Sequence, residues 1–127
     1  DMKADFSGDK DNASNDYVML RFSDVMLMKA EALLRTGNAA DALTIVNELR
    51  AKRNATALGA LTLDNLLDER GRELYWESWR RQDLIRFGVW LKAWALKEAD
   101  SDPSRLLFPI APDELLSNPN LKQNPGY

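Results

Sequence analysis

Apolar residues cluster along this chain at helical rather than strand spacing. In "DVMLMKAEALLRT" (24–36) they fall on nearly every side, with Ala30 and Ala32 keeping the surface small. That pattern predicts a helix sandwiched between neighbours. Ser23 stands where a helix cap is wanted, and Gly37 where the chain leaves the helix left-handed. After a tight "GNAAD" connection, residues 39–53 carry a stripe of Ala42, Ile45, Val46 and Leu49, with Asp41, Asn47, Glu48 and Lys52 facing away. The short connection makes the two helices an αα-hairpin.

Residues 54–61 read as a loop. Thr62 opens a long helix expected to run to Phe87, with a break near Arg80 to Asp83 as the alternative, and Gly88 ends or kinks it. "VWLKAWALKEA" (89–99) predicts one more helix, and "DSDPS" a turn. Four prolines between Leu106 and Tyr127 make the tail extended, apart from one helical turn at "PDELL". No run alternates apolar and polar residues between turn residues, so no strand is expected. The fold class is therefore all-α: a helical hairpin, further helices and an irregular extended C-terminal tail.

Composition narrows the chemistry. The 127 residues suit one ordinary domain, and 45% apolar with 29% charged residues is globular. Residues 1–16, rich in Asp, Asn, Ser and Lys, read as a polar linker unlike a signal peptide, with the helical domain spanning 17–127. A net charge of −3 argues against nucleic acid. There is neither histidine nor cysteine. Triad chemistry, thiolate metal sites and disulfides are thereby disfavoured, and no metal or cofactor is expected.

The densest chemistry lies in "ERGRELYWESWRRQDLIRFG" (69–88). On a helix, Leu67, Gly71, Leu74, Ser78 and Ile85 share one line. Gly71 costs about 1 kcal/mol relative to Ala there, so with Ser78 it marks close approach by another helix. Tyr75, Trp76 and Trp79 extend the apolar arc, and Asp68 with Arg72 forms a buried or half-buried pair inside it. Glu69, Glu73 and Glu77 recur every four residues on the far side. Their Cβ atoms would lie about 5 to 6 Å apart, near the 5 to 5.5 Å or so between the carboxyl groups of a retaining glycosidase. Glycosidase carboxylates flank a bond in a cleft, however, and a row on one helix face beside Arg70, Arg80 and Arg81 reads as a solvated or ion-paired face. Asp68, Gly71, Arg72, Leu74, Trp76, Ser78 and Trp79 are therefore taken as structural, with no catalytic residue. Phe87, Trp90 and Trp94 recur at spacings of three and four. Such rings usually face a core; the alternative is a surface on which flat ligands, including sugar rings, stack. Trp90 and Trp94 are the ligand-binding candidates.

Taken in order, "YVMLRFSDVMLMKAEALLRTG" (17–37), "ALTIVNELRAKRNA" (42–55), the 69–88 segment and "LLFPIAPDELLSNPNLKQNPGY" (106–127) resemble the C-terminal region of the SusD/RagB family of outer-membrane nutrient-binding lipoproteins. The resemblance implies a scaffold of TPR-like hairpins, here residues 23–53, with the tail packed on the body. It implies a lipid-anchored protein on the extracellular face of the outer membrane. Such a protein captures oligosaccharide or another nutrient without reaction and acts as a lid on a SusC-like TonB-dependent transporter. Family members carry a lipobox cysteine and a long N-terminal region absent here, so the chain reads as a C-terminal piece whose anchor lies outside it. No sugar-contacting residue matches a fixed family motif. Two other classes compete: a TPR-like scaffold for protein binding, weakened by the lack of a second copy at a period of about 34 residues, and a glycosidase resting on the acidic row alone. If the "NPGY" tail is docked rather than frayed, deleting residues 118–127 lowers the melting temperature of the chain, and an unchanged melt marks a free tail.

Overall fold

The structure is a computed structural model and describes residues 18–127, so the linker expected over 1–16 lies outside the described residues. Those residues are helical with no strand: α1 (Phe22–Arg35), α2 (Ala39–Lys52), α3 (Leu63–Glu73), α4 (Arg80–Arg86), a 3-10 turn (Pro103–Leu106) and α5 (Pro112–Ser117). They fall into two compact units, one ending at Leu61 and one spanning Thr62–Tyr127.

In the first unit α1 packs against α2 as an antiparallel hairpin. Leu27 and Ala30 of α1, and Ala42, Val46 and Leu49 of α2, are buried at the three- and four-residue spacing that aligns one helix face. Only that face of α1 is covered: Phe22, Val25 and Met28 are exposed, where a helix sandwiched on all sides was expected. Ser23 is not the cap. The cap is Arg21, two residues earlier, because the Arg21 carbonyl already accepts from the Asp24 and Val25 amides, and Arg21 Nη1 donates to the Ser23 hydroxyl.

Helix ends follow one rule three times. Beyond α1, Gly37 (φ +88°) donates to the Leu34 carbonyl and Asn38 to Leu33. Asn54 (φ +55°) and Ala55 do the same after α2, as do Gly88 (φ +75°) and Val89 after α4. Each is a Schellman end, satisfying carbonyls that the helix leaves unpaired. Asn47, expected to face away, instead uses its amide as a strand would: Nδ2 donates to the Leu58 carbonyl at 3.0 Å and Oδ1 accepts from the Leu58 amide at 2.8 Å. That pair pins the 54–61 loop to α2.

The second unit departs from the long helix expected. Thr62 does start α3, through a reciprocal capping box with Asn65. The helix stops at Glu73, and the chain reverses through 74–79 before α4. A continuous helix would put Arg70 and Asp83, thirteen residues apart, about 20 Å from one another along the axis. Instead Arg70 Nε donates to Asp83 Oδ2 at 2.9 Å, with the two side chains only 2% and 1% exposed. Arg86 Nη2 donates to the other oxygen, Oδ1, at 2.7 Å. The reversal also brings Arg80 Nη1 to 2.7 Å from the Leu67 carbonyl. Its backbone cost is visible: Trp76 (φ +65°) and Ser78 (φ +64°) are left-handed, a conformation that costs about 1 to 2 kcal/mol per residue outside glycine.

This reversal corrects several expectations about the segment. Trp76 is not core; its ring is turned out and 86% exposed, with Tyr75 beside it also exposed. Trp79 is half-buried at the start of α4, and Leu74 is buried. Asp68 is exposed, and Arg72 pairs with Glu69 at 2.7 Å rather than with Asp68. Gly71 is not met by the backbone of another helix. It is met by the Arg80 guanidinium: a Cβ there would stand 2.7 Å from Nη1. Ser78 is exposed rather than part of a seam. Nor is the acidic row a solvated face. Glu69 is buried, and Glu77 lies beyond the helix, so the four-residue repeat is broken.

Asp83 ties the reversal together. Asp83→Ala, which removes the carboxylate shared by Arg70 and Arg86, is expected to cost about 3 to 5 kcal/mol, the loss when one partner of a buried pair is deleted. A urea melt followed by tryptophan fluorescence reads it, and an unchanged midpoint would show that the pair holds nothing together.

Candidate functional site

The second unit carries an open cleft of about 1190 Å³ between α4, the 89–101 segment and the tail. Its rings are Trp90, Trp94, Phe108 and Tyr127. Trp90 and Trp94 come from a segment that hydrophobic periodicity reads as a helix, Phe108 and Tyr127 from the extended tail.

Residues 89–99 do not form a helix. After the Gly88 turn the chain makes a compact loop held by two charged side chains. Lys97 Nζ donates to the Leu91 and Lys92 carbonyls at 2.8 and 3.0 Å, occupying acceptors that helical amides would otherwise use. Asp100 accepts from the Ala93 amide at 2.8 Å and from Lys92 Nζ at 3.2 Å. The backbones of Trp94 and Lys97 pair in both directions. Released from helical geometry, Trp90 and Trp94 no longer share a face turned to a core. Trp90 is half-buried and its Nε1 donates to the Arg105 carbonyl at 3.0 Å, while Trp94 is 62% exposed at the cleft.

The tail supplies the opposite wall. Asp102 caps the 3-10 turn by accepting from the Ser104 amide at 2.8 Å. Gln123 clamps Ile110, accepting from its amide at 2.8 Å and donating to its carbonyl at 2.9 Å. Asn124 Nδ2 donates to the Phe108 carbonyl at 2.7 Å and the Tyr127 hydroxyl to the Leu107 carbonyl at 2.9 Å. The last residues are thus docked, but on the 104–110 segment. Gly126 (φ +88°) makes this possible, since a Cβ there would lie 2.5 Å from Ser104 Cβ. Arg81 links both walls: Nη2 donates to the Leu106 carbonyl at 3.0 Å, and the guanidinium lies 4.2 Å from the Phe108 ring centre and 5.3 Å from that of Trp90.

Of the residues singled out beforehand, Trp90 and Trp94 come together at this cleft. Gly71, Leu74, Trp76 and Ser78 instead border a separate hollow of about 500 Å³ at the reversal. Sequence reasoning missed Arg81, Phe108 and Tyr127, whose convergence depends on tail docking; the turn-forming "NPGY" was their only signal. Among the described residues no cluster of Asp or Glu is arranged to hold a metal ion, and no helix is long and apolar enough to cross a membrane.

Comparison with known proteins places this architecture. The family model described as "SusD family" matches residues 2–100. This chain belongs to the SusD family. The starch-binding protein SusD of Bacteroides thetaiotaomicron is 34% identical over 121 residues, covering 88% of this chain. Two solved structures, each named surface glycan-binding protein A, superpose with similar closeness. The one from Bacteroides uniformis has a TM-score of 0.77 and 31% identity over 89% of this chain. The one from B. thetaiotaomicron has a TM-score of 0.78 and 28% identity over 90%. The chain spans 22% of the length of that SusD and 28% and 26% of the two solved proteins. These SusD-family relatives are named for binding, not for catalysis, and the α1–α2 pair is the TPR-like hairpin expected of them.

Two outcomes test the cleft walls. The Ala93 amide first, then Lys92, holds the Asp100 carboxyl below its ordinary value of 3.8. A depressed carboxylate stabilises the fold above its unfolded pKa and loses that contribution as pH falls through the folded value. Protection of the Ala93 amide, measured against its intrinsic exchange rate, should therefore fall only below about pH 3.8, and Asp100→Asn should remove that acid step. Gly126→Ala, strained at its φ and crowded by Ser104, should free Tyr127. Added exchange at 124–127 with helix content unchanged is the expected reading; undiminished protection would show that the chain end needs no glycine.

Proposed function

We propose that this chain is part of a cell-surface nutrient-binding protein that captures oligosaccharide or polysaccharide and delivers it to a SusC-like TonB-dependent outer-membrane transporter. A lipid anchor outside this chain would hold the protein at the extracellular face of the outer membrane. Transfer is non-covalent, with no cofactor and no bond made or broken. The observation that carries the reading is membership of the SusD family, with a starch-binding relative aligned along most of the chain. Within the chain, Trp90 and Trp94 are the proposed ligand contacts. They sit at a cleft somewhat larger than the 300 to 1,000 Å³ or so usual for small ligands, leaving room for more than one sugar ring.

One observation favours a second reading, a TPR-like protein-binding scaffold. Phe22, Val25 and Met28 form an exposed apolar face on α1, as on a hairpin that a partner covers. The two readings separate experimentally. Native gels cast with starch, xylan or polygalacturonate should retard a protein of SusD length carrying this chain on at least one glycan. Free migration on the whole panel, together with co-purification of a soluble partner, would replace the first reading with the second.

A further inference from the structure

The sign of the charge around the cleft is unlike that of the chain. The sequence as a whole carries −3. The cleft is lined by Arg80, Arg81, Lys92, Lys97 and Arg105, and by no Asp or Glu. Among the described residues, Lys92 alone of these five forms an ion pair, with Asp100. Asp102 feels the Arg105 charge at longer range. Even with Asp100 and Asp102 set against the five cations, positive charge is in excess.

These cations are held in place rather than left to roam in solvent. Arg80 lies in the Gly71 notch on the Leu67 carbonyl, and Arg81 is stacked between Phe108 and Trp90. Lys97 is fixed on backbone carbonyls, and the Arg105 guanidinium lies 5.6 Å from the Tyr127 ring centre. Arg80, Arg81 and Lys97 have neutral hydrogen-bond acceptors, while Asp100 and Asp102 offset only part of the charge of Lys97 and Arg105. A positive field is left over, and a concave wall of low polarity concentrates it. Beside them Trp94 and Phe108 present large flat surfaces, 62% and 69% exposed. A flat apolar face next to uncompensated guanidinium and ammonium groups matches a sugar ring bearing an oxyanion, since arginine pairs with planar and tetrahedral oxyanions alike.

We infer that the cleft is a binding site for acidic saccharides, sugars carrying carboxylate or sulfate, stacked on Trp94 and Phe108 with the anionic group toward Arg105 and Arg81. The inference rests on the glycan-binding reading and narrows its ligand class.

The test is titration of the 127-residue chain, followed by tryptophan fluorescence, with three short oligosaccharides: an oligogalacturonate, a sulfated galactan and neutral maltotriose. Saturable binding of an acidic probe, tighter than maltotriose by about tenfold and weakening as salt is added, is expected. The galacturonate and sulfated arms decide which oxyanion is preferred, and either supports the assignment. Arg105→Gln should weaken the acidic probe several-fold and flatten its salt dependence, and Trp94→Ala should weaken it with the salt dependence kept. Maltotriose binding as tight as the acidic probes, indifferent to salt and to Arg105→Gln, would overturn the acidic assignment and leave the glycan reading standing. No saturable binding of any probe to a folded chain would overturn the cleft as a site; retardation of the longer protein on a polysaccharide gel would show that the broader reading survives without it. Should both variants lose helix content by circular dichroism, the salt dependence of the parent decides, and acidic binding unmoved by high salt counts against the proposal.

Discussion

The carboxylate of Asp83 is the constraint on which the Thr62–Tyr127 unit depends. It accepts from Arg70 on one oxygen and from Arg86 on the other, almost wholly out of water. A carboxylate that deep must have its charge answered locally, because the desolvation of an ion costs several kcal/mol. Arg70 sits on α3 and can answer it only if the chain doubles back. The left-handed Trp76 and Ser78, and the exposure of the Trp76 ring, follow from that reversal. Backbone strain of a few kcal/mol is offset by the ion pair together with burial of Leu66, Leu67 and Leu74.

Gly71 belongs to the same arrangement. A helical glycine loses about 1 kcal/mol against alanine, and what it gains here is a notch for the Arg80 guanidinium, which then reaches the Leu67 carbonyl. Arg80 and Arg81 start α4, so the reversal also sets one side of the cleft. The remaining walls use side chains in place of regular secondary structure. Lys97 and Asp100 tie the 89–101 loop, and the Gln123 amide pairs with Ile110 as a neighbouring strand would. Asn47 repeats that device on Leu58 in the first unit. Such clamps give irregular walls a defined shape without a sheet.

Much of this was legible in the residues alone. The hairpin, its Gly37 end, the Thr62 start and the turn at Gly88 are local matters, decided by periodicity, caps and one left-handed residue each, and they came out as read. The family, too, was written in the order of four short blocks. Ser23 was misread because an upstream carbonyl, invisible to a capping rule, had already begun α1. The helical spacing of Trp90 and Trp94 is incidental in a segment that forms no helix.

By itself, then, the sequence determined the helical class, the hairpin, the ends at Gly37, Thr62 and Gly88, and the family, because each depends on contacts within a few residues or on the pattern of whole segments. Only the tertiary structure decided where the long helix breaks, that Glu69, Arg70 and Asp83 are buried, and that Arg81, Phe108, Tyr127 and the two tryptophans meet at one cleft. The reason is distance along the chain. The partner of Arg70 is thirteen residues away and that of Tyr127 twenty. Helical periodicity compares each residue with its third and fourth neighbours, and it cannot weigh a buried charge whose answer comes from so far.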